Sequence, residues 1–476
     1  MKATTIIPLM AALVAGVSAR DPITLNLTGH IDASQVMSFV YVPFVVEPET
    51  TSVYVLQNYS LKGHGNALDL GVFDQRGYQL MNGVNNTFGT RGWSGGFRNN
   101  FTITPSWATP GYNPGAIEPG TWNVVLGPYN SVPEGIDWQL QIVMGFDPVD
   151  TYFSPTFAQV DFDTISQFEQ QEWLRGDFHM HTVYSDGKYT PDQQIQNAVA
   201  QNLSFIFFSD HNTDTSNNII GAYQQAFAPD LLICRAIEVT TRHGHWQAAG
   251  LDREQLIDWR YQDVAGFVDA TEQVHRAGGF VSVNHPFAAC PACNWGFDDW
   301  DHNDAIEVWN AGFDSTDQQS IQKWHDLLVA GKFTAAIGGS DSHSPPSLNG
   351  VPTTVVNSRG RKQSAIVAAV KNARAYIVEG PGKAMSFNVN VQNTVAQIGD
   401  KVHGHSSGAQ AFLTVEGMND QKACFISDKG YFFNTTIADG KTLQRQLPAG
   451  LKFVRVEVRN VTDDSAIGLT NPIWFL

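Results

Sequence analysis

Polar side chains that can bind metal ions follow a series of short apolar runs in the middle of the chain. The apolar runs occupy residues 205–208, 231–239, 279–283, 305–309 and 333–337, and helix-like segments separate them. Strands and helices that alternate in this way build a parallel α/β sheet or barrel, in which the carboxyl ends of the strands meet at one face. We therefore expect one shared pocket for nine residues: His179, His181, Asp186, His211, Glu238, His245, His285, Asp341 and His343.

The composition of this set predicts a metal centre. His179 and His181 stand two residues apart, so on a strand they share one face. Burying so many ionisable groups without a cation would be costly. Histidine and carboxylate ligands without thiolates suit Zn, Mn or Fe. Nine ligands exceed what one tetrahedral ion needs, so we expect two or three divalent ions.

The order of the motifs resembles that of the PHP (polymerase and histidinol phosphatase) superfamily. H-x-H with a following S-D-G comes first, and S-D-H-N, E-V-T, N-H-P and S-D-S-H follow it between about residues 170 and 383. The resemblance implies an α/β fold with a distorted seven-stranded β/α barrel and a metal cluster at the strand ends. The E-V-T…G-H form and the flanking β segments look most like the secreted, carbaryl-hydrolase-like branch.

The same resemblance implies three ion subsites. The first would use His179, His181, Glu238 and Asp341. The second would share Glu238 with the first and add His245 and His285. The third would use Asp186, His211 and His343.

Paired cations favour hydrolysis, because they acidify a bridging water and offset charge that builds on the substrate. We expect a phosphoesterase that acts on a small-molecule ester with a metal-bridged hydroxide as nucleophile. Hydrolysis of a carboxylic ester, amide or carbamate on the same metals is the alternative. A catalytically inactive protein that binds glycan or cell wall is the second alternative.

Three more residues are candidates for a part in the reaction. Asp210 could orient a ligand histidine or cap the following turn. Arg242 could hold a substrate anion or lie on the surface, and Glu307 could act as an acid or base or as a structural partner. Asp177 is expected to be solvated.

The flanking segments are predicted to be β domains. Residues 20–168 contain strand-like runs at 39–46, 52–57, 67–73, 122–126 and 138–146, which favour a β-sandwich. Residues 384–476 contain runs at 385–391, 411–415, 423–426 and 453–458, which favour a small immunoglobulin-like sandwich. The barrel is then expected at 169–383. A polar stretch at 82–113 holds aromatic residues that either form a carbohydrate platform or pack normally: Trp93, Phe97, Trp107 and Tyr112.

Several features indicate a secreted protein. Residues 1–19 have a short apolar stretch and a small-residue cleavage site before Arg20, which is typical of a signal peptide. Cys290 and Cys293 are expected to form a local disulfide. A net charge of −17 gives no general attraction for nucleic acid or anionic lipid, so neither is an expected partner. The chain has seven acceptor sites for N-linked glycans: Asn26, Asn58, Asn85, Asn100, Asn202, Asn434 and Asn460.

Overall fold

The computed structural model describes residues 20–79, 89–162, 171–392 and 394–476. The chain is a mixed α/β protein with many strands and few helices. The predicted signal peptide at 1–19 and the glycan acceptor Asn85 lie outside the described residues. A search of the described residues found no helix with the length and apolar character needed to cross a membrane.

Two antiparallel four-stranded sheets make up the N-terminal part. The first has the order β1 (Ile23–Ile31), β8 (Ile136–Gly145), β3 (Ser52–Tyr59) and β6 (Asn100–Ile103). The second has the order β2 (Val40–Val46), β7 (Gly120–Asn130), β4 (Ala67–Phe73) and β5 (Thr90–Gly95). A 3-10 turn, Ala33–Gln35, separates β1 from β2. One apolar core fills the space between the sheets and includes Val55, Leu70, Trp122 and Ile142.

Strands β1, β5 and β6 were not predicted, and β5 shows why. It is rich in glycine, which usually marks turns, yet all six of its residues are buried. Gly92 has φ +139°, and a Cβ atom there would lie 2.5 Å from the Cα of Tyr112. The glycines of β5 therefore permit close packing of backbone, a need that depends on tertiary contacts.

The central part alternates strands and helices. Its strands are β9 (Glu172–Asp177), β10 (Phe205–Phe208), β11 (Leu232–Thr241), β12 (Gly244–Ala249), β13 (Phe280–Val283), β14 (Ala305–Asn310), β15 (Ala335–Gly339), β16 (Thr353–Ser358) and β17 (Ala375–Val378). Its helices are α1 (Pro191–Ala200), α2 (Ile220–Phe227), α3 (Val264–Arg276), α4 (Ser315–Val329) and α5 (Gln363–Lys371). Pro191 occupies the first turn of α1, as predicted.

Seven strands, β9 to β15, lie side by side in chain order. All neighbours are parallel except where β12 pairs antiparallel with β11 and β13. The two outer strands also approach one another, since Met180 after β9 forms a parallel bridge with Ser342 after β15. This bridge brings the residues after β9 and after β15 to the same place.

Strand β11 runs past Glu238 instead of ending there. It forms an antiparallel hairpin with β12, in which Thr240 faces His245 and Thr241 faces Gly244. Glu238 therefore lies within β11, and His245 begins the returning strand. The hairpin fixes both residues by backbone pairing, which is more rigid than the strand-end loop expected from sequence.

The C-terminal part is joined to the central sheet. The outer sheet has the order β19 (Thr394–Gln397), β18 (Ala384–Val391), β21 (Gln410–Glu416) and β24 (Leu443–Gln446). The remaining strands are β20 (Lys401–Val402), β22 (Lys422–Ser427), β23 (Gly430–Thr436), β25 (Phe453–Arg459), β26 (Ala466–Thr470) and β27 (Ile473–Phe475). Because β26 pairs with β17, these strands extend the central sheet across the expected boundary at 383.

Candidate metal centre

Glu238 lies at the centre of a buried cluster of histidines. Its Oε2 atom is 3.2 Å from His179 Nε2, 3.3 Å from His181 Nε2 and 3.0 Å from His211 Nδ1. Its Oε1 atom is 3.0 Å from His285 Nε2 and 3.4 Å from His245 Nδ1. Each oxygen of the Glu238 carboxylate therefore faces its own set of imidazoles.

Asp341 lies beside the imidazoles that face Glu238 Oε2. Its Oδ1 atom lies 3.3 Å from His179 Nε2 and 3.1 Å from His181 Nε2. The two histidines also point their Nε2 atoms at each other across 3.1 Å. Two ring nitrogens at this distance need a proton or a cation between or beside them. Asp341 has φ +48° and His285 has φ +26°, so both are held in a backbone conformation that is rare outside glycine.

A third group of possible ligand atoms surrounds Asp186, which lies in the loop that follows His181. Its carboxylate is 3.1 Å from His343 Nε2, 3.6 Å from His211 Nε2 and 3.8 Å from His181 Nδ1. The ring of His181 packs between those of His211 and His343, with centroids 4.3 and 4.1 Å away. The structure thus brings all nine sequence-predicted ligands into one cluster.

The donor set fits divalent cations. Ligand atoms that share one ion at about 2.0–2.2 Å lie roughly 3.0–3.6 Å apart, and most distances in the cluster fall in this range. Buried atoms in it also lack a hydrogen-bond partner: Glu238 Oε2, Asp341 Oδ1, His245 Nδ1 and His285 Nδ1. Unpartnered buried polar atoms are costly, and coordination to an ion would satisfy the carboxylate oxygens that face the histidines.

The histidines of the cluster differ in how strongly they hold a proton. Burial lowers the pKa of His181, but the adjacent carboxylates of Asp341 and Glu238 outweigh it and raise the value to about 10. Burial lowers the pKa of His211 to about 3. Burial raises the pKa of Glu238, yet the charges of His179 and His211 hold it well below its usual range. Neighbouring imidazoles therefore compete for protons while the carboxylates stay ionised, which is the state a cation requires.

Glu307 is placed to orient a histidine. It lies in β14, and its Oε1 atom is 2.9 Å from His179 Nδ1. Its Oε2 atom accepts hydrogen bonds from the backbone N–H of His285 and from Asn310 Nδ2. A carboxylate that holds Nδ1–H leaves Nε2 of the same ring free to bind a metal. Glu307 is therefore a positioning residue.

Asp210 touches none of the predicted ligands directly. It is fully buried and accepts hydrogen bonds from Thr182 N, Thr182 Oγ1 and Ser185 Oγ. Ser185 Oγ in turn lies 3.4 Å from His181 Nδ1. Asp210 thus holds the loop between His181 and Asp186 and reaches a ligand histidine only through Ser185, whereas the sequence predicts that it orients a ligand histidine or caps the following turn.

Arg242 is neither free nor on the surface. Its Nη2 atom donates to Asp69 Oδ2 of the N-terminal sandwich at 2.9 Å, and its side chain is 7% exposed. Its guanidinium also lies over the rings of Phe39 and Tyr129. Arg242 therefore joins the central part to the N-terminal part at the edge of the centre.

Three contributors to the site were missed by the sequence interpretation. Asp177, expected in solvent, is fully buried and accepts from the backbone N–H groups of His179, Ser340 and Gly350. Asn284 Nδ2 donates to Glu238 Oε1 at 3.0 Å. Asn310 Nδ2 donates to Asp341 Oδ2 at 3.3 Å. The only sequence signal was adjacency, since Asn284 precedes His285 and Asp177 precedes the H-x-H motif.

A cavity of about 670 Å³ lies beside the cluster. Asp186, His211, Glu238 and Asp341 line one side of it. Residues of the N-terminal sandwich line the other side: Phe39, Asp69, Trp93, Phe97 and Tyr129. The disulfide between Cys290 and Cys293 closes part of the remaining wall. The reacting groups of a ligand bound here would face the histidines.

The aromatic residues of the polar stretch do not form one platform. Tyr112 is buried and stacks on Phe101 in the sandwich core. Trp93 is buried against Trp259. Phe97 is exposed and lines the cavity, whereas Trp107 is exposed but does not line it. The stretch thus divides among core packing, the cavity wall and the surface.

No protein-family model matches the chain, and no curated protein matches it. A two-domain protein of Bacteroides vulgatus, described as containing a predicted PHP-like metal-dependent phosphoesterase, aligns over 68% of this chain and 100% of its own, with 18% identity and a TM-score of 0.39. A protein of Bifidobacterium adolescentis proposed to be a metal-dependent phosphoesterase aligns over 37% and 90%, with 17% identity and a TM-score of 0.29. An amidohydrolase of Chromobacterium violaceum aligns over 42% and 96%, with 15% identity and a TM-score of 0.29. These likenesses are weak, so the assignment of function rests on the site residues.

Proposed function

We propose that the chain is a secreted metal-dependent hydrolase of the PHP superfamily that cleaves phosphoesters. The observation that carries the proposal is the position of Glu238 between two sets of imidazoles, three of them on Oε2 and two on Oε1. A carboxylate in this position can bridge two cations. Strands β9 to β15, bridged at Met180 and Ser342, would form the distorted seven-stranded barrel of that superfamily.

The residues divide into three proposed subsites. His179, His181, Glu238 and Asp341 would hold one ion, and Glu238, His245 and His285 a second. Asp186, His211 and His343 would hold a third. Bound divalent ions would acidify a water molecule and polarise the ester.

The protein's own groups hold this arrangement in place. Glu307 keeps the proton of His179 on Nδ1, so Nε2 points at the shared centre. Asn284 and Asn310 hold the carboxylates of Glu238 and Asp341 in orientation. Such prior orientation lowers the reorganisation needed when charge develops on the substrate.

A substrate panel on the metal-loaded protein tests the proposed reaction. We expect p-nitrophenyl phosphates to be cleaved, with carboxylic esters and aryl carbamates cleaved more slowly. The reverse order would favour the carbonyl alternative, and the cavity offers one observation in its support: the only arginine or lysine among its described lining residues, Arg242, is already paired with Asp69. A protein that holds no metal and cleaves nothing would favour the inactive binding alternative.

Secretion is a separate part of the proposal. Exposed side chains at Asn26, Asn58, Asn100, Asn202 and Asn434 are accessible for glycosylation, and Asn460 is half-buried. Mass spectrometry of the protein expressed in a eukaryotic host should find an N-terminus at Arg20 and glycan mass that an endoglycosidase removes. An intact N-terminus without glycan would contradict secretion but not hydrolysis.

A further inference from the structure

The cavity wall that faces the metal centre is aromatic and belongs largely to the N-terminal sandwich. Trp93 on β5 packs against Trp259 with ring centroids 5.2 Å apart, and Phe39 meets Trp93 edge-on at 6.0 Å. Phe97, which follows β5, is 54% exposed and has a ring accessible to ligand. The base of the wall is therefore rigid, and one ring remains available for contact.

The charges on this wall are already neutralised. Arg242 is the only arginine or lysine among the cavity-lining residues that the structure describes, and its Nη2 atom donates to Asp69. Its guanidinium lies 5.2 Å from the ring centroid of Phe39 and 4.9 Å from that of Tyr129. An anionic group bound beside the sandwich would meet Asp69, and the described lining offers it no arginine or lysine besides Arg242.

The wall is fixed by contacts between the two parts of the chain. Tyr129 donates a hydrogen bond to the carbonyl of Pro291, within the loop that the Cys290–Cys293 disulfide closes. Both cysteines line the cavity. A cavity shaped in advance binds a ligand without first ordering its own loops.

We propose that the N-terminal sandwich determines substrate specificity by binding a neutral aromatic group of the ester. The reacting group would then lie at the histidine–carboxylate cluster on the opposite side of the cavity. The volume of about 670 Å³ accommodates a ligand with one or two aromatic rings. The identity of the reaction rests on the proposed function, whereas the recognition of the aromatic group does not.

Matched substrates test the specificity. We expect 4-biphenylyl phosphate to have a KM about tenfold lower than its 4′-sulfonate, because the two share a leaving-group oxygen and differ in one remote charge. Phe97→Ala should raise the KM for 4-biphenylyl phosphate about fivefold to tenfold, with kcat unchanged, and should leave the KM for methyl phosphate within twofold. Phe97→Tyr should restore the wild-type KM. Trp107→Ala is the matched control, since Trp107 is 53% exposed on the same sandwich and does not line the cavity.

Binding without turnover separates this inference from the proposed reaction. Equilibrium dialysis of the full-length protein, with and without metal, should show that 4-phenylphenol binds and that Phe97→Ala weakens its binding about fivefold or more. Such binding in a protein that cleaves no phosphoester would contradict the proposed function and leave the aromatic wall supported. Equal binding by wild type and Phe97→Ala, no binding at all, or equal binding of 4-phenylphenol and its sulfonate would overturn the inference.

Discussion

Glu307 and His179 form a buried carboxylate–histidine pair on which the orientation of the metal centre depends. Replacing Glu307 with Gln preserves the shape of the side chain but removes the charge 2.9 Å from His179 Nδ1. Loss of such an outer carboxylate typically weakens metal binding about 10- to 100-fold. We expect this loss for Glu307→Gln in competition titrations with a chelator.

The exposed pair of Glu379 and Lys383 provides the control for that change. Glu379 is 54% exposed and lies 2.9 Å from Lys383, outside the metal centre. Glu379→Gln should leave metal affinity unchanged. Equal affinities for Glu307→Gln and wild type would show that Glu307 does not act through His179.

The pKa shifts predict how metal affinity depends on pH. Burial lowers the pKa of His181, but bonds to Asp341 and Glu238 raise it to about 10, so the metal-free protein holds a proton there at neutral pH. A metal ion must displace that proton, so affinity should rise as pH increases from 6.5 towards 10. Burial lowers the pKa of His179, but the charges of Asp341 and Glu238 raise it well above its usual range, so this ligand also carries a proton. Calorimetry in buffers of different ionisation enthalpy should therefore detect at least one proton released per chain at pH 8. Affinity that is constant across this range would contradict the proton assignment.

At the residue scale, the sequence predicted the donors better than the groups that support them. His179, Glu238 and Asp341 could be identified because strand-end position and side-chain type are both visible in sequence. The partner of Arg242 could not, because Asp69 lies 173 positions away and meets it only after the two parts of the chain pack together. Asp177 was misjudged for the same reason, since two of its three backbone donors, Ser340 and Gly350, lie 163 and 173 positions away.

At the element scale, the β11–β12 hairpin places Glu238 and His245 on adjacent strands, where Glu238 pairs with Gln247 and His245 with Thr240. Gly244 at its turn has φ +114°, and a Cβ atom there would lie 2.9 Å from the ring of Trp295 and 3.0 Å from its Cα. Gly244→Ala should therefore destabilise the fold by at least about 2 kcal/mol and displace His245. Thermal denaturation and metal analysis of the variant would measure both effects.

Gly430 supplies the control for the hairpin. It has φ +85° at the turn between β22 and β23, and a Cβ atom there would meet nothing within 4 Å. Gly430→Ala should cost about 1 kcal/mol from backbone strain alone and should leave metal content unchanged. Equal losses for the two variants would show that the contact with Trp295 is unimportant.

Helices with a clear hydrophobic periodicity were predicted from the sequence, whereas strands that depend on tertiary packing were missed. Helices α1, α3 and α4 lie where helix-like segments are predicted to separate the apolar runs or to precede the first of them. Strand β12 was missed because its sequence, Gly-His-Trp-Gln-Ala-Ala, resembles a loop and pairs only through its neighbours β11 and β13. Whether a segment is a strand then depends on tertiary pairing more than on its own composition.

At the scale of the whole molecule, the sheet that continues from β17 into β26 couples the C-terminal part to the metal-binding part. Asn471 strengthens the junction: its side chain accepts from Ala336 N and donates to the carbonyls of Ala336 and Ala375, all at 2.7–2.9 Å. Asn471→Ala should cost about 3 kcal/mol, because three buried side-chain hydrogen bonds are removed, although the Ala375 carbonyl keeps the backbone N–H of Asn471 as a donor. Calorimetry should show one transition that moves to lower temperature for the central and C-terminal parts together.

The sequence did not reveal how the two flanking parts join the centre of the molecule. Turn residues and alternating strands predicted β segments on both flanks, but not that one flank shares a sheet with the centre or that the other forms the cavity wall. Two separate calorimetric transitions, one for the central part and one for the part after residue 383, would contradict a shared sheet if Asn471→Ala moved only one of them.

Metal stoichiometry tests the central claim most directly. Inductively coupled plasma mass spectrometry of the purified full-length protein should find two or three divalent ions per chain. Glu238→Gln should lose at least one of them, because a neutral amide has only one ligand oxygen and cannot bridge two cations between the imidazoles that lie 3.0–3.4 Å from the carboxylate oxygens. A Glu238→Gln protein that retains the full wild-type complement would contradict the account of the centre.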